Sequence, residues 1–416
     1  MSHDRRKASQ ADSNRGVSRR RFMAGAGAAA ATFSVVDAKL ARGYSANEKV
    51  DLAIIGCGGR GNWITDLFQQ HGGYNLVACA DYFQDRIDKL GDRFGVPAER
   101  RFSGLSGYRR MLEGEFDAVA IESPPYFHPQ HAAAAVEAGR HVYVAKPIAV
   151  DVPGCKSIGE SGRKATTKKL CFLVDFQTRA DEFYVEAIRR VHDGAIGRFA
   201  FGEASYHAGL PWKAQIQHAH LGDPEARLRA WGLDRVLSGD IITEQNIHTL
   251  DVASWIMNRE PVCAYGTGGQ KVRDFGTCWD TFSVVFQYPD NVGITFSSRQ
   301  FNGHGTQPDG IRNRMFGSEG VLETKYGGDV LIRGTNFYRG GSTPTIFKQG
   351  AVNNIATFHA AIRNGDCENA TAPESVRSNL LTILGRTAAY EGRIVTWEQL
   401  VESDEQLVAD LKGLKD

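Results

Sequence analysis

The chain has 416 residues, 42% of them hydrophobic and 23% charged, which is the composition of a globular protein long enough for two domains. Its formal net charge of +1 provides no positive field for a nucleic acid, so nucleic acid is excluded as an expected partner. The seven cysteines form no C-x-x-C pair, and buried free thiols are expected. His218, His220 and the His128/His131 pair have no third ligand at tight spacing, so no metal site is predicted.

Residues 1–47 are predicted to be an export signal and linker. A polar, basic segment ends in Ser18-Arg19-Arg20-Arg21-Phe22-Met23, and a weakly apolar, Ala/Gly-rich run follows from Ala24 to Val36. This run is too short to span a membrane, which takes about 20 apolar residues. Such a pattern is typical of an export signal, and the arginine pair resembles the twin-arginine type. We expect a periplasmic protein with no membrane anchor after processing; the alternative, a disordered basic tail, does not explain the alanine run.

Residues 48–174 are predicted to form an NAD(P)-binding Rossmann domain. Apolar strands alternate with amphipathic helices, which is typical of right-handed βαβ units and a parallel sheet covered on both faces. The predicted strands are 50–55, 75–80, 117–122, 141–145 and 170–175. The predicted helices are 62–70, 84–94, 105–112, 129–138 and 153–167.

A glycine-rich turn follows the first of these strands. It reads Gly56-Cys57-Gly58-Gly59-Arg60-Gly61, a G-x-G-x-x-G pattern that allows a tight turn, close approach of a pyrophosphate and close helix–strand packing. The first N–H groups of the following helix would point at that phosphate. Asp81 comes 20 residues after Gly61, where a carboxylate accepts the ribose hydroxyls of NAD. The sequence therefore predicts NAD as the cofactor, with NADP less expected.

Two further segments end strands at the carboxyl edge of this sheet, where nucleotides bind. Ser123-Pro124-Pro125 leads to His128, and the prolines force the chain to leave the sheet. Lys146-Pro147 ends the next strand. From the residues alone, Lys146 is either a solvated loop charge or a group aimed into the cofactor cleft.

Residues 175–390 are predicted to form a substrate and oligomerisation domain, an α/β domain on a large, open, mainly antiparallel or mixed sheet. Its predicted strands are 198–207, 261–270, 281–287, 292–299, 312–316 and 320–324. Helices are predicted at 241–258, 352–364, 373–390 and 404–412, the last within a C-terminal tail of residues 391–416.

The helix predicted at 241–258 carries a candidate general base. Glu244 and His248 are four residues apart and would share a face, and Asp251 lies three residues after His248. A carboxylate that holds an imidazole is a general-base arrangement. A capping or salt-bridging pair on a buried helix is the alternative.

In this order and at these distances, the residues resemble the Gfo/Idh/MocA oxidoreductases, the family of glucose–fructose oxidoreductase and inositol dehydrogenase. The resemblance covers roughly residues 48–400. It rests on the glycine turn, Asp81, Ser123-Pro124-Pro125 with His128, Gly139-x-His141-Val142, Lys146-Pro147 and Glu244-x-x-x-His248-x-x-Asp251. It implies a Rossmann domain followed by an α/β domain whose open sheet often serves oligomerisation, here as a dimer or tetramer.

The resemblance also implies roles for individual side chains. Lys146 would hydrogen-bond the reacting carbinol, His248 would take its proton and Glu244 would orient His248. The residues that would bind the cofactor are Gly56, Gly58, Gly59, Arg60, Gly61, Asp81, Ser123, Pro124, His128 and Lys146. Candidate substrate contacts are Arg179, Tyr206, Trp212 and His248. The chain departs from the family where Ala145 replaces the usual glutamate before the lysine and where Glu244 replaces a common aspartate.

Three functions remain open at this point. The first is an NAD-dependent oxidoreductase that moves a hydride between a tightly bound nicotinamide cofactor and a hydroxyl of a sugar, sugar derivative or cyclitol. The second is an NAD-dependent glycoside-cleaving enzyme that oxidises, eliminates and then reduces, with no net redox change. The third is a non-catalytic sugar or NAD sensor. Lys146, the Glu244/His248 pair and the export signal argue against it.

Overall fold

The computed structural model describes residues 49–219, 223–307 and 309–416. The predicted signal and linker, residues 1–47, lie outside the described residues. In the described part, no helix is both long enough and apolar enough to cross a membrane.

The N-terminal half is built on a parallel sheet of six strands, as predicted. These strands are β1 (Val50–Ile55), β2 (Tyr74–Asp81), β3 (Arg101–Ser103), β4 (Ala118–Ile121), β5 (His141–Ala145) and β6 (Phe172–Asp175). Their order is β3-β2-β1-β4-β5-β6, with every neighbouring pair parallel. This is the doubly wound order, and its direction reverses between β1 and β4, where such sheets bind nucleotides.

Helices cover both faces of this sheet, which is why its strands are nearly continuous apolar runs. They are α1 (Gly59–His71), α2 (Gln84–Phe94), α3 (Gly107–Leu112), α4 (His128–Glu137) and α5 (Val152–Thr167). The next helix, α6 (Glu182–His192), packs on the sheet of the C-terminal half. The short strand β3 has only three residues, too few for a period-2 pattern to predict it.

The C-terminal half is built on a mixed, mainly antiparallel sheet of nine strands, again as predicted. They are β7 (Phe199–Ala208), β8 (Cys263–Gly269), β9 (Thr281–Gln287), β10 (Gly293–Gln300), β11 (Gly310–Gly317), β12 (Gly320–Lys325), β13 (Asp329–Gly334), β14 (Tyr338–Ser342) and β15 (Val395–Thr396). The order is β14-β13-β12-β11-β7-β10-β9-β8-β15, and β7 with β10 is the parallel pair. Strands β13, β14 and β15, of six, five and two residues, were not predicted.

The remaining helices are α7 (Pro224–Arg229), α8 (Arg235–Ser238), α9 (Ile241–Glu244), α10 (Ile247–Met257), α11 (Ile346–Asn364), α12 (Thr371–Glu391) and α13 (Trp397–Val401). Most of them belong to the C-terminal half, whereas α11 packs on α1 and β6 of the N-terminal half. Single 3-10 turns occur at Ala98–Arg100, Pro125–Phe127, Thr178–Ala180, Lys213–His218, Trp231–Leu233 and Pro289–Asn291. The helix predicted at 404–412 is wrong, because those residues form an irregular segment.

The helix predicted at 241–258 is two helices, α9 and α10. The N–H groups of Gln245 and Asn246 both donate to the carbonyl oxygen of Ile241, at 3.0 and 2.9 Å. Asn246 therefore reaches back five residues instead of four, and the helical register shifts between Glu244 and His248. Glu244 and His248 therefore lie on two successive helices instead of one.

Helix α12 ties the two halves together behind the site. Asn379 accepts from the N–H of Ile148 at 3.2 Å and donates to the carbonyl of Ala149 at 3.1 Å. Arg386 donates to the carbonyls of Val150 and Gly239 at 2.8 and 2.7 Å. The segment that follows Lys146 is therefore held from the C-terminal half.

The cysteines carry no disulfide. Five of the seven are buried, as expected, and Cys263 and Cys367 are half-buried.

Candidate active site

The glycine turn between β1 and α1 packs tightly on itself and on the end of β4. Gly56 has a φ of 99°, and a Cβ there would lie 2.5 Å from the backbone of Glu122 and Ser123. A Cβ at Gly61 would overlap the carbonyl oxygen of Gly56. A side chain is excluded at both positions by the fold itself.

The other two glycines of the turn face open space. Among the described residues, none beyond the adjoining chain comes within 4 Å of a Cβ built on Gly59, and for Gly58 only the Arg86 guanidinium approaches, at 3.8 Å. Helix α1 begins here with no side chain capping its first N–H groups. An uncapped helix start beside side-chain-free backbone fits the pyrophosphate of a dinucleotide.

A cleft extends from this turn along the carboxyl edge of the sheet. Its lining includes Gly56, Gly58, Gly59, Arg60, Asp81, Tyr82, Phe83, Arg86, Tyr108, Glu122, Ser123, Pro124, His131 and Trp212. Eight of the predicted cofactor residues are placed at or beneath this cleft: the four glycines, Arg60, Asp81, Ser123 and Pro124. Gly61 is the one beneath it, because it packs under Gly56.

Asp81 ends β2 and braces the glycine turn. Its carboxylate accepts from the N–H of Cys57 at 2.7 Å and from the N–H of Phe83 at 2.9 Å. Burial raises the pKa of Asp81, and the nearby Arg86 guanidinium opposes that shift. The side chain therefore both lines the cleft and fixes the loop that would receive the phosphates.

Lys146 directly follows β5 and points inward, which excludes a solvated loop charge, one of the two interpretations left open by the sequence. Its ammonium donates to the carbonyl oxygen of Glu244 at 2.6 Å and lies 3.4 Å from Oε1 of the same residue. The side chain is 9% exposed. Burial lowers the pKa of Lys146, and the Glu244 carboxylate opposes that shift.

A second cavity adjoins the cleft, and Lys146 lies in it. Its lining residues are Gly59, Arg60, Trp63, Lys146, Tyr206, Trp212, Glu244, Gln245, His248, Ile311, Tyr326 and Phe347. Gly59, Arg60 and Trp212 line both spaces. A group bound in the cleft and one bound in the second cavity would therefore meet at these three residues.

His248 lies in the second cavity and is 8% exposed. Burial lowers the pKa of its imidazole well below the ordinary value, and the positive charges of Lys146 and Arg60 lower it further. Its Nδ1 is buried and has no hydrogen-bond partner among the described residues. A neutral imidazole beside an ammonium group is suited to accepting the proton of a hydroxyl whose oxygen the ammonium stabilises.

Two family models match this chain, one for each half. The model described as the oxidoreductase family with an NAD-binding Rossmann fold, GFO_IDH_MocA, matches residues 50–174. The model of the GFO/IDH/MocA C-terminal domain matches residues 184–323. The chain belongs to the Gfo/Idh/MocA family of oxidoreductases.

Relatives of this Gfo/Idh/MocA protein carry more than one activity in their names. A scyllo-inositol 2-dehydrogenase (NAD(+)) of Bacillus subtilis is 23% identical over 330 residues, which cover 76% of this chain and 87% of the relative. A glycosyl hydrolase family 109 protein of Streptomyces coelicolor is 27% identical over 168 residues, which cover 39% of this chain and only 35% of the relative. The match to that relative thus spans about a third of its length.

The fold is also found in solved structures. The crystal structure of myo-inositol 2-dehydrogenase from Lactobacillus plantarum superposes with a TM-score of 0.66 at 21% identity, covering 84% of this chain and 99% of the other.

In this Gfo/Idh/MocA protein, two predicted pairings of the candidate base are wrong. The Glu244 carboxylate reaches Lys146 and not His248, because the break between α9 and α10 changes its direction. Asp251 is bound by the guanidinium of Arg179 at 2.9–3.0 Å and by the hydroxyl of Ser378 at 2.7 Å. Of the predicted catalytic residues, the second cavity therefore brings together Lys146, Glu244 and His248, with Glu244 beside the lysine.

Arg179 was expected to contact substrate, and the structure places it elsewhere. Its guanidinium is held by Asp251 and by Glu374, and it lines neither the cleft nor the second cavity. The other two candidates do line the second cavity: Tyr206, which donates to Gln245 at 3.2 Å, and Trp212.

His128 was expected to bind the cofactor, and this too is corrected. One ring nitrogen lies 2.8 Å from the carbonyl oxygen of Pro147, and the other lies 2.6 Å from that of Ser123. The ring is buried and braces the two loops that follow β4 and β5, without lining the cleft.

The sequence analysis missed a buried charge cluster beneath Arg60. Nε of Arg60 lies 2.8 Å from Oε2 of Glu122, and its guanidinium also pairs with Asp175. Neither carboxylate is exposed to solvent. Burial raises the pKa of Glu122 to about 7, although Arg60 opposes the shift. The available signal was that Asp175 ends β6 and Glu122 directly follows β4, both at the carboxyl edge of the sheet.

Glu122 also places a carboxylate near Ala145, the position at which the family usually has a glutamate. Ile121 pairs with Val144 in neighbouring strands, so Glu122 lies beside Ala145. A carboxylate therefore approaches Lys146 from β4, although the residue before this lysine is alanine.

No group of three or more His, Cys, Asp or Glu side chains in the described ranges is arranged to hold a metal ion.

The buried histidines predict how stability depends on pH. Burial lowers the pKa of His128 to about 4 and that of His131 to about 3, whereas an unfolded histidine titrates near 6.5. Between these values the unfolded chain binds more protons, so their contribution to stability is fully present above pH 6.5 and is lost as the pH falls. We expect a loss of about 1.4 kcal/mol per pH unit for each histidine, measured by urea unfolding from pH 7 to pH 4.5. His131→Phe should make the slope shallower, and an unchanged slope would contradict this assignment.

Proposed function

We propose that this protein is an NAD-dependent oxidoreductase that transfers a hydride between nicotinamide and a hydroxyl-bearing carbon of a sugar, sugar derivative or cyclitol. The observation that carries the proposal is the convergence of Lys146 and His248 in one cavity that shares Gly59, Arg60 and Trp212 with the dinucleotide cleft. The family and the inositol dehydrogenase relative support it.

When bound, NAD supplies the acceptor for the hydride, and the side chains manage the proton and the charge. The neutral imidazole of His248 takes the proton of the reacting hydroxyl. The ammonium of Lys146 donates a hydrogen bond to the oxygen as negative charge develops on it. Glu244 keeps Lys146 in place through its backbone carbonyl and offsets the cost of burying the ammonium charge. Glu244 is thus a positioning residue for Lys146.

The residues that would hold NAD are Gly58, Gly59 and the start of α1 for the phosphates, with Asp81 for the adenosine ribose. We expect NAD to bind more tightly than NADP, because the Asp81 carboxylate hydrogen-bonds a free ribose diol and repels a 2′-phosphate. Titration of the cofactor-free protein with both dinucleotides measures this preference. Tighter binding of NADP would show that Arg86, on the same wall of the cleft, decides the selectivity instead.

Redox-neutral cleavage of a glycoside is the second candidate, and the family 109 relatives are consistent with it. It begins with the same hydride abstraction beside Lys146 and His248. The two candidates differ in product: an oxidised sugar or cyclitol in one case, and a released aglycone in the other.

The test is to incubate the protein with free sugars, cyclitols and glycosides, with and without added NAD. NADH absorbance and mass spectrometry of the products identify the reaction. An oxidised product supports the dehydrogenase, and a released aglycone without NADH supports the second candidate. Turnover without added NAD would show a tightly bound cofactor whose hydride is returned on the enzyme. Failure to convert any member of the panel would overturn both.

We propose that the protein is exported to the periplasm by a twin-arginine-type signal, on the basis of Arg19, Arg20 and the Ala/Gly-rich run that follows. This route carries folded proteins, so the cofactor would be loaded before export. Replacing both arginines with lysine should leave a full-length precursor in the cytoplasm, detected by fractionation. Normal export of that variant would rule out this type of signal.

We also propose a homo-oligomer, a dimer or tetramer, formed through the outer face of the nine-stranded sheet. Phe201 and Phe316 stack on this face, and Val285 and Tyr265 are exposed on it. Light scattering in solution tests this, and a monomer at micromolar concentration would contradict it.

A further inference from the structure

The second cavity has a polar inner wall and an aromatic mouth. Lys146, Glu244 and His248 form the inner wall and are almost completely buried. Trp63 is half-buried, and Phe347 is 48% exposed. The reacting hydroxyl must sit deep in the cavity, and anything that contacts Phe347 must sit nearer the solvent.

Trp63 and Phe347 form a stacked pair that is here called the aromatic platform. Their ring centroids are 4.5 Å apart with an interplanar angle of 23°. Trp63 lies in the first turns of α1 and Phe347 lies at the start of α11, so the platform joins the glycine turn to the C-terminal half. Both rings line the second cavity. A large apolar ring that is half exposed at the mouth of a cavity is suited to binding a ligand.

Arg60 contacts both rings of the platform. The guanidinium carbon of Arg60 lies 5.4 Å from the centroid of Trp63 and 5.8 Å from that of Phe347. Arg60 is itself anchored by the buried carboxylates of Glu122 and Asp175.

The carboxylate of Asp175, which pairs with Arg60, also binds the helix that carries Phe347. Asn354, in α11, donates to Asp175 at 2.8 Å. The platform is therefore pre-organised, and a ligand that stacks on it need not order these side chains on binding.

We propose that the aromatic platform is a second subsite that stacks a flat-faced ring joined by a glycosidic bond to the sugar that reacts. The polar inner wall would provide hydrogen-bond partners for the hydroxyl groups of a single sugar ring placed against Lys146 and His248. The apolar face of a further sugar ring or of an aromatic aglycone would stack on the face of Phe347 that Trp63 does not cover. This inference rests on the proposed function, and it makes the substrate a glycoside instead of a free monosaccharide or cyclitol.

The experiment compares kcat/KM for a glycoside with kcat/KM for the corresponding free sugar. One arm uses a disaccharide and the other an aryl glycoside, which separates the two sources of the ring. In Phe347→Ala the ratio should fall by about 3- to 10-fold, the range expected from an aromatic contact. Phe347→Leu keeps an apolar side chain without a stacking face and should also lower the ratio. The matched control is Phe337→Ala, at a phenylalanine that is 62% exposed and does not line the cavity, and the ratio should not change in it.

A binding measurement keeps the test independent of turnover. Calorimetric titration of NAD-loaded Lys146→Met protein with the disaccharide and the aryl glycoside should show weaker binding when Phe347→Ala is added. Thermal melting of each variant verifies folding. An unchanged ratio together with unchanged glycoside binding in Phe347→Ala would overturn the subsite while leaving the proposed oxidoreductase intact. If no substrate is turned over by the wild type, the proposed function fails, and the calorimetry still decides whether the platform binds a ring.

Discussion

Replacing Lys146 with methionine should lower kcat by about 10²–10³-fold, the usual effect of removing a donor that stabilises negative charge on the reacting oxygen. Methionine keeps the length and much of the volume of the side chain but cannot donate a hydrogen bond to the reacting oxygen. NAD should remain bound, because Lys146 lies in the second cavity and not among the residues that line the cleft. Steady-state kinetics and assay of the dinucleotide released by heating measure both effects.

The control for this variant is Lys164→Met. Lys164 lies on the exposed side of α5, where it pairs with Glu137, and its replacement should leave kcat unchanged. A Lys146→Met protein that turns over at the wild-type rate would remove this residue from the mechanism. His248→Gln provides the companion test and should cause a loss of similar size.

Replacing Gly61 with alanine should destabilise the protein and abolish cofactor binding. The added Cβ would overlap the carbonyl oxygen of Gly56, and Gly56 cannot retreat because it packs against the backbone of Glu122 and Ser123. Overpacking of this kind typically costs about 1–3 kcal/mol, and more where the backbone itself must move. The melting temperature and the affinity for NAD should both fall.

Gly59→Ala distinguishes an effect on cofactor binding from an effect on folding at the same turn. In the part of the chain that the structure describes, a Cβ at Gly59 meets nothing within 4 Å beyond its own chain neighbours, so this variant should melt like the wild type. If the pyrophosphate passes close to the turn, the affinity for NAD should still fall, because the methyl group occupies the space it needs. A Gly59→Ala protein that binds NAD normally would place the phosphates elsewhere, and a stable Gly61→Ala protein would contradict the packing argument.

Much of the N-terminal half could be predicted because its signals are local. Each of three features can be recognised within a few residues: the glycine turn, the apolar runs around it, and the aspartate at the end of β2. The parallel sheet follows from the alternation of strands and helices. The predicted helix at 84–94 coincides with α2, and the predicted strand at 281–287 coincides with β9. The short strands β13 to β15 carry weak patterns, and the tertiary structure overrides them.

Most residues of the candidate site were predicted from the sequence, but only some of the contacts between them were. The prediction of a single helix over 241–258 placed Glu244 beside His248. No periodicity in the sequence indicates that the N–H of Asn246 donates to the carbonyl oxygen five residues earlier. That one shift turns Glu244 towards Lys146. Arg179 and His128 were mistaken for ligand contacts because an arginine or a histidine near a strand end looks the same in sequence whether it faces a cleft or a buried partner.

By itself, the sequence determined the two sheets, the dinucleotide turn and the strand ends that carry Asp81, Ser123 and Lys146, because each depends on neighbours a few residues away. Only the tertiary structure decided which distant groups meet. Lys146 and Glu244 are 98 residues apart, and Arg60 and Asp175 are 115 apart. The order of β1, β4, β5 and β6 brings the ends of these strands to one edge, and α12 then holds the second half against it. Such contacts depend on chain topology and packing, which no local pattern of residue types encodes.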